Sequence, residues 1–181
     1  MKIFQKNLMA SEDVQALLGT GVFYDGEATA EIHDGALVTV GDIEGHSIYA
    51  NLKDVNVRKI TAPAAEGNNY AIVDYVNRSE GEIMGVTYRE GVKTAGLVAP
   101  AGKQVRYRFF QKNDSFYLGT DNFAGAPAVG KFAIPTEGDT VWTITDQKAT
   151  EGPCLKIETT KALTEGAVDT DTLYFCTVVN A

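Results

Sequence analysis

The stretch from Phe116 to Ile144 constrains the fold more than any other part of this chain of 181 residues. It holds three short apolar segments, which run from Phe116 to Leu118, from Lys131 to Ile134 and from Trp142 to Ile144. Gly, Pro, Asn and Asp residues stand between them. Apolar runs this short, bounded by turn residues, are typical of β-strands and too short for helices. The stretch therefore predicts three consecutive strands.

Four further segments carry strong strand patterns. Residues 105 to 109 and 154 to 160 alternate between apolar and polar, whereas Tyr70 to Val76 and Thr172 to Val179 are apolar on both faces. Alternation predicts a strand with one covered face, and apolar residues on both faces predict a strand that is covered on both. With weaker candidates included, about eleven short strands at near-regular spacing predict a mostly β fold, either a β-barrel or a β-sandwich. Two intertwined halves are expected to meet near residues 96–102.

Residues 1–24 differ from the rest, so we expect an N-terminal arm with a short helix ahead of a β domain over residues 25–181. Ser11 can cap a helix near residues 11–18, and Gly19 can end it. Such a short helix is marginal alone and must dock on the body or on a partner.

The apolar residues of this N-terminal region are candidates for a partner interface. They are Phe4, Leu8, Met9, Leu17 and Leu18. They are few and irregularly spaced, which favours contact with another surface over extension of the main core. The alternative is an N-terminus that folds back on its own domain.

Charge and hydropathy exclude several classes of protein. The formal net charge is −8, whereas sequence-independent binding of nucleic acid needs clustered Lys and Arg. The first ten residues lack the apolar run of a signal peptide, and no run approaches 18 apolar residues. We therefore expect no nucleic-acid partner, no membrane span and no export by the usual route.

One segment, called here the phosphate-loop decoy, matches a nucleotide-binding motif only in part. Gly125 to Lys131 matches the first seven positions of the phosphate-binding loop, but Phe132 stands where a hydroxyl must hold Mg²⁺. Pro127 also removes a backbone donor, and Pro135 follows too soon for a helix. The pattern predicts a connection between two strands, with Lys131 in solvent.

No other set of residues predicts bond chemistry. His33, His46, Cys154 and Cys176 lie far apart in the chain without metal-site spacing, and we expect two buried, reduced thiols. There is no Gly-x-Ser-x-Gly nucleophile motif. Arg106 and Arg108 share one face of a predicted strand, which favours a solvated face over a basic patch. We therefore predict a non-enzymatic protein with no catalytic, cofactor-binding or metal-binding residues.

Two stretches together resemble a known family. The run Leu118 to Phe123, followed by Ala126 to Pro135 and the Gly-Asp-Thr-Val-Trp segment that ends at Trp142, is similar to head decoration or minor capsid proteins of tailed bacteriophages. Asp34 to Asp42 and Tyr70 to Asp74 resemble the first half of such proteins. The resemblance covers about residues 30 to 146.

This resemblance implies a virion structural protein that is made in the host cytoplasm and binds the outside of an assembled capsid. The implied partners are the major capsid protein and further copies of the chain, with a trimer favoured. Two alternatives remain open at this point. The chain could be a phage head-fibre or tail base component, or a bacterial surface module of β type that binds a ligand.

Overall fold

The computed structural model describes residue 2 and residues 4–43, 57–64, 69–75, 80–83, 86–89, 98–165 and 169–181, which form a mostly β fold. His46 lies outside these residues. The strands are β1 (Phe4–Leu8), β2 (Leu18–Asp25), β3 (Ala28–Thr29), β4 (Ile32–His33), β5 (Leu37–Ile43), β6 (Val57–Thr61), β7 (Tyr70–Asp74), β8 (Glu80–Ile83), β9 (Val86–Arg89), β10 (Val98–Ala99), β11 (Gln104–Phe109), β12 (Ser115–Gly119), β13 (Phe123–Ala124), β14 (Phe132–Ile134), β15 (Trp142–Thr145), β16 (Cys154–Glu165) and β17 (Asp169–Asn180). Each of the three strands predicted between Phe116 and Ile144 is present.

Strands of the first half close into a small barrel. Its order is β11-β7-β5-β6-β2, and β11 also pairs with β2 to complete the ring, while β3 extends the sheet beyond β2. Strands β2 and β6 are parallel, and the other neighbours are antiparallel. The apolar cluster of these strands includes Val38, Val73 and Tyr107. The barrel predicted as one of two β architectures is therefore present.

The second sheet has the order β1-β12-β17-β16-β14-β15-β13, and β17 lies inside it as its apolar faces predict. The main core packs between this sheet and the barrel. Leu37 and Ile72 belong to the main core, whereas their neighbours Val38 and Val73 belong to the barrel cluster. Alternate side chains of a strand point to opposite faces, so β5 and β7 are covered on both. This arrangement explains the two apolar faces of the segment that begins at Tyr70.

The short helix expected near residues 11–18 takes the form of two 3-10 turns, Ala10–Glu12 and Gln15–Leu17. Ser11 lies inside the first turn and is not its cap. Val14 has extended backbone angles between the two turns, and Leu18 already begins β2. An α-helix this short gains few hydrogen bonds for the cost of its first turn, which is consistent with two separate 3-10 turns in its place.

The boundary between the halves lies further along the chain than the sequence indicated. Val98–Ala99 pairs with β4, and the last barrel strand ends at Phe109. The chain crosses to the second sheet at the turn Gln111 to Asp114, where Asn113 has a φ of 74°. The Gly96 to Gly102 stretch is thus followed by one more barrel strand.

The N-terminal region is part of the β domain and not a separate arm. Strand β1 pairs with β12 in the second sheet, and β2 pairs with β6 and β11 in the barrel. The expected boundary at residues 24 and 25 falls inside β2. Residues 1–24 therefore contribute one strand to each sheet.

Candidate functional site

The candidate site is the N-terminal segment, defined as Phe4 to Leu17, together with the surface next to it. Two of the five predicted interface residues, Phe4 and Met9, are buried in the main core. The ring centroids of Phe4 and Phe116 are 5.4 Å apart. Burial of each side chain stabilises the fold by about 1.5–3 kcal/mol, and both pack in the core of their own chain, as expected if the N-terminus folds back on its own domain.

Two carboxylates hold the backbone of the segment. Asp34 Oδ2 accepts a hydrogen bond from Phe4 N at 2.7 Å, and its Oδ1 accepts one from Tyr75 N at 2.8 Å. Asp114 Oδ1 accepts a hydrogen bond from Ala10 N at 2.8 Å. Asp34 thereby links the edge of the second sheet to the residue that follows barrel strand β7.

A buried arginine holds the first 3-10 turn. Arg108 Nε donates to Asp74 Oδ2 at 2.7 Å, while its Nη1 contacts Ser11 Oγ at 3.1 Å and Glu12 Oε1 at 2.7 Å. The Arg108 side chain is 3% exposed, whereas that of Arg106 is 50% exposed. The predicted solvated face is therefore correct for Arg106 and wrong for Arg108, because Arg108 is paired with the buried Asp74.

Burial and hydrogen bonding shift the pKa values of two groups in this region in opposite directions. Desolvation raises the pKa of Asp34 to about 8, although hydrogen bonds from Phe4 and Tyr75 oppose the shift and the nearby Asp74 adds to it. The hydrogen bond from Lys6 to Glu12, at 2.8 Å, is the main cause that holds the pKa of Glu12 below its usual value. The ion pairs of the segment with Lys6 and Arg108 thus lie at its surface end, whereas the carboxyl of Asp34 lies buried at β1.

The outer surface of the segment carries exposed apolar side chains. Among the described residues, the exposed large hydrophobic side chains are Leu8 (68%), Val14 (46%) and Val129 (59%). Two of these three belong to the N-terminal segment. Leu17 and Leu18 are half-buried and each lines a cleft beside it.

The two clefts are neighbours, since Asn69 and Phe109 line both. The first has a volume of about 510 Å³ and is also lined by Leu18, Arg58 and Tyr107. The second, of about 430 Å³, is lined by residues that include Leu17, Tyr70, Phe110 and Gln111. Their volumes lie in the range of ligand pockets. Arg58 is the charged side chain of the lining and donates to the carbonyl of Gly41 at 3.2 Å.

The residues considered for bond chemistry lie apart. Cys154 and Cys176 are free and buried, as predicted, and burial raises the pKa of both thiols. His33 is half-buried, and desolvation lowers its pKa. Across the described part of the chain, no three His, Cys, Asp or Glu residues are grouped as metal ligands.

The phosphate-loop decoy joins two strands. Its glycines Gly125 and Gly130 have φ of 100° and 88°, and the loop leads into β14. Lys131 forms an ion pair with Asp146. None of the helices in the described ranges has the length and apolar character that a membrane span requires.

Sequence reasoning missed the polar residues that hold the segment: Asp34, Asp74, Arg108 and Asp114. Arg108 was predicted to face solvent, and no role was predicted for Asp114. The signal available for Asp34 was the Asp-Gly pair before an apolar strand, which marks a turn but not a buried carboxyl. Its partners are 30 or more residues away in the chain, so no local pattern reports them.

No protein-family profile, curated protein or solved structure matches the chain. The site must therefore be interpreted from its own contacts.

Proposed function

We propose that this chain is a non-enzymatic structural protein of a phage virion, which binds the outer surface of the capsid through its N-terminal segment. The observation that carries the proposal is the exposure of Leu8 and Val14 on a segment that the body fixes in place. A fixed apolar surface loses little conformational entropy on binding. The partner is the major capsid protein.

Because the N-terminal segment is fixed in place, its binding to a capsid differs from that of a mobile arm. A mobile arm would order on binding, whereas here Asp34 and Asp114 hold the backbone of the segment beforehand, and Arg108 holds the side chain of Ser11. Leu8 and Val14 each contribute up to about 1.5–3 kcal/mol if a partner buries them fully. Contacts of this size give strong retention when linked copies bind a symmetric particle together.

The experiment is co-sedimentation of the purified chain with empty heads, assembled from a major capsid protein encoded in the same genome. The double variant Leu8→Ser/Val14→Ser is expected to lose most binding. Val129→Ser is the matched control, because Val129 is equally exposed but lies in the loop before β14. The far-UV circular dichroism of each variant reports whether it folds.

The possible outcomes test capsid binding and the role of the N-terminal segment separately. A wild-type chain that stays in the supernatant overturns the capsid function. Wild-type binding that survives in the folded double variant retains the function but overturns the assignment of the N-terminal segment.

A second candidate function is a ligand-binding module of bacterial surface type, which the two adjacent clefts favour. Half-buried Phe109 and Tyr70 offer ring surfaces, while Asn69 and Arg58 offer hydrogen-bond donors. The clefts fit a small polar ligand such as a saccharide. A rise in Tm with a panel of saccharides, lost in Arg58→Ala, supports this candidate, and no shift with any saccharide counts against it.

A further inference from the structure

Strands β16 and β17 form a two-stranded ribbon that extends beyond the neighbouring strand β14. The two strands pair from Cys154 opposite Asn180 to Glu165 opposite Asp169. On the outer side of β16, β14 pairs with Leu155 and Lys156, and Ile157 bonds to Gly130 and Lys131. From Glu158 to Glu165, no described strand pairs with this edge. Half of the backbone N–H and C=O groups of an unpaired edge point away from the sheet.

The first five residues of the open edge are accessible. All five residues from Glu158 to Ala162 are exposed. Lys161 Nζ lies 3.9 Å from the centroid of the Tyr117 ring, which places its charge over the face of the sheet. The lysine therefore does not cover the backbone edge as edge lysines often do.

The other ends of the same sheet are protected. The carboxylate of Asp34 occupies the Phe4 N–H of β1, and β13 at the opposite end has two residues. Short edge strands, and loops that cover an edge as the turn at Asp34 does, are common devices against unwanted strand pairing. The open edge of β16 spans eight residues, or about 27 Å, and lacks both devices.

We propose that the β16 edge pairs with the β16 edge of a second copy of this chain, in antiparallel orientation. A two-fold axis perpendicular to the sheet leaves the same face of each copy on the same side. Residues that lie opposite each other across the axis must therefore both have odd numbers or both have even numbers. The register centred on position 163 pairs positions 161 to 165 of the two copies, so that position 161, a lysine, lies opposite position 165, a glutamate, twice. Opposite charges across a strand pair are favourable. Because the edge is complementary in charge to a second copy of itself, we favour a second copy over an unrelated strand as its partner.

This pairing is independent of capsid binding and predicts a different assembly from the trimer that the resemblance implies. The mass of the particle is expected to be two chains of 19.5 kDa and not three. The two sheets of seven strands would join into one continuous sheet across the axis.

The test is sedimentation equilibrium of the full chain over a wide range of concentrations. Lys161→Glu and Glu165→Lys each create two like-charge pairs, and each is expected to weaken dimerisation by about tenfold or more. The double variant Lys161→Glu/Glu165→Lys restores opposite charges and is expected to restore the dimer. Lys112→Glu is the matched control, because Lys112 is an exposed lysine in the turn before β12.

The double variant keeps the proposal falsifiable even if a single substitution disturbs the ribbon. Recovery of the dimer in the double variant supports the pairing, since misfolding would not be repaired by a second charge reversal. A wild-type monomer or trimer overturns the proposal. A dimer that all three edge variants retain overturns it as well.

Discussion

The side-chain amide of Asn122 donates a hydrogen bond to the backbone carbonyl of Asp34 at 3.0 Å. Asn122 Oδ1 also accepts a hydrogen bond from Gly119 N at 3.2 Å. The contact joins the turn before β5, in the barrel half, to the turn after β12, in the second sheet. Asp34 thus contacts Asn122 through its backbone and the N-terminal segment through its side chain.

Substitution of Asn122 by Ala is expected to lower the free energy of unfolding by about 2–4 kcal/mol, since it leaves two buried backbone groups without these hydrogen bonds. Urea unfolding followed by the fluorescence of Trp142 measures this loss, because Trp142 is the one tryptophan of the chain and is fully buried. Gln147→Ala, at an exposed position, is the control. A loss no larger than that of the control would contradict the importance of this contact.

Substitution of Arg108 by Ala is expected to lower the free energy of unfolding by up to about 3–5 kcal/mol, because it leaves the buried carboxylate of Asp74 with only its longer contact to half-exposed Arg106, at 3.5 Å. The double variant Arg108→Met/Asp74→Leu removes both charges and is expected to recover much of this loss. The same urea titration measures both. If the double variant is as unstable as Arg108→Ala, packing and not charge explains the effect.

The sequence predicts strands well where one short segment contains the whole signal. The alternation of residues 105 to 109 and the apolar faces of residues 70 to 76 both correspond to strands, because side-chain periodicity follows directly from strand geometry. Closure of the barrel could not be predicted, since it depends on the pairing of β2 with β11, about 85 residues apart. Periodicity carries no information on which strands are neighbours.

The candidate site was less predictable for a physical reason. A carboxyl or guanidinium has the same sequence signature in solvent as in a buried pair, so Arg108 and Asp34 could not be distinguished from surface residues. Phe4 and Met9 lie in a region without clear periodicity, yet both fill the core, because a single edge strand can supply isolated side chains. Leu8 was predicted as a surface contact and is exposed, but no observation tests its partner.

The stability of the chain is expected to depend on pH through Asp34. Its pKa rises from an ordinary value near 3.8 to about 8 on folding, so the folded state holds a proton that the unfolded state releases. The contribution of Asp34 is therefore fully present below pH about 4 and is lost as the pH rises to about 8, by at most about 1.4 kcal/mol per pH unit.

The measurement compares wild type with Asp34→Asn between pH 4 and 9, so that other titrating groups cancel. The amide introduced by this substitution does not titrate, and one of the two backbone donors, Phe4 N or Tyr75 N, would face its NH₂ group. The stability gap between the two proteins is expected to shrink as the pH rises. A gap that grows with pH would show that the N–H donors keep Asp34 ionised.

The last prediction concerns two glycines with left-handed backbone but different surroundings. Gly26 has a φ of 62°, and a Cβ there meets nothing within 4 Å, so Gly26→Ala is expected to cost about 1–2 kcal/mol from backbone strain alone. Gly35 has a φ of 69°, but its Cβ would lie 2.6 Å from Asn122 Nδ2 and 3.2 Å from Leu118 Cδ2. Gly35→Ala must therefore also displace the Asn122 amide, which adds about 1–3 kcal/mol.

A double-mutant cycle isolates the second part of this cost. If displacement of Asn122 is responsible, Gly35→Ala/Asn122→Ala destabilises the chain by less than the sum of the two single variants, because the hydrogen bond to Asp34 is lost once and not twice. Gly26→Ala/Asn122→Ala is the control and is expected to be additive. Additivity in both pairs would mean that Asn122 adjusts to the new methyl group without breaking its contact with Asp34.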